Sequence, residues 1–138
     1  MPTTYPARVS ARLLLGAVLT VAGLALVSVA VLGWRGLLPR NRVAGVRTPA
    51  SLRSDAAFRV ANRVAAPPLG AAGVVCATGG ALCFTTTGAV LAVIAGVTGA
   101  GTLTLVVAGG VLGNRAAEAV HDGASCAGCP ASGCTVRG

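Results

Sequence analysis

The chain has 138 residues, a net charge of +8 and 54% hydrophobic side chains, yet only 10% of its residues are charged, against about 25% in an ordinary globular domain. Too little polar surface remains to coat a water-soluble fold of this size, which excludes a soluble nucleic-acid binder in spite of the basic charge. Outside the apolar blocks only short pieces are left, too short for a large soluble catalytic domain.

In chain order, a polar lead over residues 1–12 with Pro2 and Pro6 precedes the first apolar block, Leu13 to Trp34. That block has 22 residues without a charge, enough to cross a bilayer core that needs about 20 helical residues. Trp34 stands where an interfacial aromatic belongs. A cleaved secretory signal is the competing reading, since Arg8 and Arg12 precede the run and Ser28, Val29 and Ala30 resemble a cleavage site. The run exceeds the usual signal core and is followed by arginines that stop transfer, so an anchor is expected.

A second uncharged stretch, Leu69 to Gly113, is 45 residues long. As helix it would extend roughly 68 Å against a core of about 30 Å, so it must cross twice. The β-branched run Thr85, Thr86, Thr87 followed by Gly88 is the expected break. The predicted architecture is therefore all-α with three transmembrane helices, over residues 13–34, 67–84 and 89–113. A short hairpin at 85–88 joins the second and third, and Pro67 and Pro68 start the second. Small residues at Ala92, Gly96, Ala100, Thr104 and Ala108 form a ridge on the third span, with Gly109 and Gly113 adding a GxxxG spacing. The ridge is expected to pack within the chain first and to serve a homodimer second.

The basic loop over residues 35–66 holds seven arginines against a single acid, Asp55, and the chain has no lysine. Positive loops stay inside. This predicts a multi-pass protein of the cell membrane with the loop and C-terminus cytoplasmic and the N-terminus and hairpin outside. Pro39, Gly45 and Pro49 make the first half of the loop an ordered turn. From Ser54 or Asp55, either of which can cap, a short amphipathic helix is predicted through Ala65, lying along the membrane surface. It would carry Ala57, Val60, Ala61 and Val64 on one face and Asp55, Arg59, Asn62 and Arg63 on the other.

The run Asn41-Arg42-Val43-Ala44-Gly45-Val46-Arg47-Thr48-Pro49 is similar to the N-x-x-x-G-[IV]-R-T-P signature of the SdpI family of bacterial multi-pass membrane proteins. The likeness continues through Ser51 and Leu52 to an aromatic-Arg-x-x-polar-Arg pattern at Phe58, Arg59, Asn62 and Arg63. Two positions depart from it. Ala50 stands where many relatives carry tryptophan, and Asn62 where histidine is frequent. The resemblance implies a non-enzymatic protective role, with immunity to a secreted peptide toxin and contact with a cytoplasmic regulator. The signature residues Asn41, Gly45, Arg47, Thr48, Pro49, Arg59, Asn62 and Arg63 form the candidate site. Read from the residues alone, Gly45 supplies a bend, Arg47 is a rigid bidentate donor, and seven arginines beside a membrane neutralise anionic lipid headgroups at about 1 kcal/mol each.

Residues 114–138 form the C-terminal tail, expected to be flexible and rich in cysteine. Within it, His121, Cys126, Cys129 and Cys134 offer four soft ligands in the order H-x4-C-x2-C-x4-C. Two readings stand: zinc held by the four residues, which would make the chain a membrane-anchored metal-binding or redox protein, or a tail of free thiols with no cofactor. Cys76 and Cys83 lie seven apart within a span and are expected as small buried side chains. With three acids and one histidine in the whole chain, no constellation for acid–base catalysis is present.

Overall fold

A computed structural model describes residues 5–38 and 45–126, and side chains over 9–38 and 45–120. Three helices account for nearly all of it: α1 (Tyr5–Trp34), α2 (Asp55–Cys83) and α3 (Gly88–Cys126). Each is long and apolar enough to cross a membrane. The protein is all-α among the described residues, as the apolar blocks predict.

Helix α1 starts earlier than the first charge-free run, because Arg8 and Arg12 are good helix formers and Pro6 sits in the first turn, where no N–H is needed. It ends in a paired cap. Leu37 N–H donates to the Leu32 carbonyl at 3.0 Å and Gly36 N–H to that of Gly33 at 3.1 Å, with Gly36 at φ +67°. Only glycine enters that left-handed conformation without strain.

The region expected as two helices, one along the membrane surface and one starting at Pro67, is a single helix α2 with Pro67 and Pro68 inside it. The two missing N–H groups leave the carbonyls of Arg63 and Val64 without their helical donors, a cost of about 3 kcal/mol for each proline in an ordinary helix. Packing on both sides of the prolines offsets it: Ala61, Ala65 and Ala66 before them, and Ala72 and Gly73 after them, are buried. Transmembrane helices tolerate such prolines where neighbours support the freed groups. The buried face of the first half also differs from the expected one. Phe58 and Asn62 are buried with Ala57 and Ala61, while Val60 and Val64 face outward.

Helix α2 occupies the middle. It packs against α1 on one side and α3 on the other; among the described residues no Cα of α1 lies within 8 Å of one of α3, and the two flank a common cavity near the hairpin. Small residues at two-turn intervals make the α1–α2 contact close: Gly16, Gly23 and Ala30 on α1 meet Gly80, Gly73 and Gly70 on the antiparallel α2. A Cβ on Gly23 would come within 2.7 Å of the Gly73 carbonyl, and one on Gly73 within 2.7 Å of the Val27 amide nitrogen. Backbones this near gain dispersion contacts that larger side chains would prevent. Cys76 and Cys83 are buried here as expected, with the Cys76 thiol donating to the Leu19 carbonyl at 3.3 Å.

The connection to α3 falls where the threonines predict it. Thr85 and Thr86 hydroxyls both donate to the Leu82 carbonyl, at 3.1 and 3.0 Å, closing the end of α2. Gly88, at φ +63°, turns the chain into α3. The packing face of α3 is not the expected ridge. Thr98, Gly109, Gly113 and Ala117 are buried, while Ala92, Gly96, Ala100 and Thr104 are exposed, and a Cβ on Gly96 would meet nothing. The GxxxG pair wins because Gly109 and Gly113 lie against Ala65 and Ala61 of α2. Helix α3 also runs past Asn114 to Cys126, so the first half of the expected tail is helical.

Candidate functional site

The loop before α2 folds back onto the helix it precedes. Its first half-turn needs Gly45, at φ +98°, where any Cβ would run into the carboxamide of Asn62. Immediately after it, the Val46 N–H donates to Asn62 Oδ1 at 2.7 Å, and Asn62 Nδ2 donates to the Phe58 carbonyl at 2.8 Å. Both bonds are buried, with Asn62 5% exposed. A polar side chain on the inner face of α2 thus reads the loop backbone.

Thr48 to Ser51 form a one-turn capping box. Thr48 N–H donates to Ser51 Oγ at 2.9 Å while Ser51 N–H donates to Thr48 Oγ1 at 3.2 Å. Pro49 follows the Thr48 cap, a position where its missing N–H is harmless. The Ser51 hydroxyl, fully buried, donates to the Val46 carbonyl at 2.8 Å. Ser54 then caps α2 by accepting from Ala57 N–H at 3.0 Å. Val46 and Ala50 bury themselves among Ala57, Ala61 and Ala65 of α2 and Ala117 of α3. The loop therefore seals one end of the α2–α3 pair.

This geometry sorts the predicted site residues. Gly45, Thr48 and Asn62 build the loop and its anchorage, and Pro49 starts its turn. Arg47, Arg59 and Arg63 are exposed. Arg59 and Arg63, one turn apart on α2, meet Trp34 and Arg35 at the end of α1 around a cavity of about 360 Å³, with the Arg63 guanidinium 5.8 Å from the centre of the Trp34 ring. That is within cation–π range. Asn41 lies outside the described residues. So do Cys129 and Cys134, and the side chains of His121 and Cys126, which belong to the end of α3. Among the described residues no group of three or more His, Cys, Asp or Glu side chains is placed to hold a metal.

Sequence reasoning did not single out Ser51, Trp34 or Arg35 as site residues. The T-P-x-S spacing of a capping box was the available signal for Ser51. For Trp34 and Arg35, the signal was the paired arginines one helical turn apart on α2.

A family model described as the SdpI/YfhL protein family matches residues 37–112, more than half of the chain. The chain belongs to the SdpI/YfhL family. The match begins just before the signature loop, takes in α2 whole, and ends within α3. A comparison with curated proteins and with solved structures finds no match. As a member of this family with three helices of spanning length, the chain is a multi-pass membrane protein.

Proposed function

We propose that this SdpI/YfhL protein protects its membrane against a membrane-active peptide, by binding or shielding rather than by catalysis. The observation that carries the reading is the folded signature loop. Its buried residues hold one backbone shape, and Arg47 is among the loop residues that this shape leaves exposed. The acids with described side chains, Asp55 at the start of α2 and Glu118 on α3, stand on different helices. Seven arginines, five between α1 and α2 and two, Arg59 and Arg63, in the first turns of α2, favour a cytoplasmic loop, with the hairpin and N-terminus outside.

The test is genetic. Deleting the gene is expected to sensitise cells to a secreted membrane-active peptide, and Arg47→Ala is expected to reproduce that sensitivity while still inserting in the membrane. An unchanged killing profile for both strains refutes the protective role. Orientation is checked in the same cells with a single thiol at the exposed Arg53 position, the five native cysteines being replaced. It is expected to resist an impermeant reagent until the cells are opened.

A further inference from the structure

Two cavities meet at Trp34 and Arg35, and their chemistries are complementary halves of one ligand. The first, about 360 Å³, is lined by Arg35 from the capped end of α1 and by Arg59 and Arg63 from α2. No carboxylate lines it. Three arginines that line one cavity without an acid among them raise its positive potential, which a bound anion would relieve. The second cavity, about 600 Å³, shares Trp34 and Arg35 and continues along the α1–α2 seam between Val27 and Val31 on one side and Ala66, Ala71 and Val74 on the other. Apart from Arg35 and the backbone, its walls are apolar.

We propose that this continuous site holds one anionic phospholipid, its phosphate among Arg35, Arg59 and Arg63 and one acyl chain in the seam. The dimensions agree with such an occupant. From Arg63 to Val74 the helix rises roughly 16 Å, close to half of a hydrocarbon core of about 30 Å. Trp34 stands at the junction, the level an indole takes at the boundary of headgroup and chain. Arginine suits the phosphate end, since its planar fork pairs phosphate oxygens in a bidentate way that a lysine ammonium cannot. The site shares Arg59 and Arg63 with the family signature but uses neither Arg47 nor the buried loop residues, so its test is separate from that of the protective role.

Trp34 is the only tryptophan of the chain, so it reports on this site alone. The full-length protein is reconstituted in phosphatidylcholine bilayers containing increasing fractions of phosphatidylglycerol with brominated acyl chains, and Trp34 quenching is measured. Brominated phosphatidylglycerol is expected to quench well beyond brominated phosphatidylcholine at equal fraction. Arg59→Gln and Arg63→Gln are each expected to weaken the relative binding constant about fivefold, and Arg59→Lys to recover part of the loss. Ala71→Trp is unsuitable with this readout, so Ala71→Leu is used to fill the exposed seam, and it too is expected to weaken binding. Arg53→Gln, which removes the same charge from the loop, is expected to change nothing, with helical content by circular dichroism confirming that every variant is folded.

Equal quenching by the two lipids overturns the proposal. So does an effect of Arg53→Gln as large as that of Arg59→Gln, since it would mean general surface attraction. Displacement of the brominated lipid by inorganic phosphate, with Ala71→Leu silent, would assign the arginines to a free anion and also overturn it.

Discussion

Asn62 is the residue on which the signature loop depends. Its carboxamide accepts from the Val46 N–H and donates to the Phe58 carbonyl in a buried setting, so Asn62→Ala leaves a buried N–H without a partner. That is expected to cost about 1–3 kcal/mol, read as a lower denaturant midpoint in detergent followed by circular dichroism. Gly45→Ala is expected to cost a similar amount, from its left-handed backbone and from collision with the same carboxamide. Together they should destabilise less than the sum, since truncating Asn62 removes the group that the new Cβ would strike. A strictly additive double variant would show that the two residues do not share this contact.

At the scale of elements, the two faces of small residues in the molecule have opposite consequences. Gly73 faces the α1 backbone with no room for a methyl group, and Gly73→Ala is expected to destabilise by about 1–3 kcal/mol as the helices are forced apart. Gly96 faces open space. Gly96→Ala is expected to be neutral, or to stabilise by up to about 1 kcal/mol through helix propensity. Thermal unfolding of the two variants side by side gives the comparison. The same contrast explains what could be read in advance. Length and lack of charge revealed the spans, and the threonine run revealed the hairpin, because both are local properties. Which of several small-residue stripes on α3 is used was not legible, since glycine and alanine are common along the helix and only the opposing surface of α2 selects Gly109 and Gly113. Nor was the burial of Asn62, a polar residue beside arginines whose partner is a backbone group sixteen positions earlier. The proline pair misled for a related reason: local preference favours a helix start, and packing on both sides overrides it.

For the whole molecule, the governing feature is the central place of α2, with α1 and α3 on either side and, among the described residues, not packed against each other. Stability should divide into two interfaces that meet only in α2. Gly23→Ala, on the α1 side, and Gly113→Ala, on the α3 side, are each expected to destabilise, and their double variant to add within about 0.5 kcal/mol. Unfolding measurements that found strong coupling would mean that α2 shifts as a body between its neighbours. The three-helix plan itself was legible from composition, as was the basic loop at one end. Its folding onto α3 was not, because Val46 and Ala117 are joined only in space.

That last contact has a consequence for the order in which the chain matures. Val46 and Ala50 leave the ribosome long before Gly113 and Ala117, the α3 residues that complete their burial. Until the third helix is inserted, the loop lacks one wall of its core. The burial of the segment bearing the family signature is therefore complete only once residues 113–117 are in place, so that its full packing reports that the third helix has been inserted.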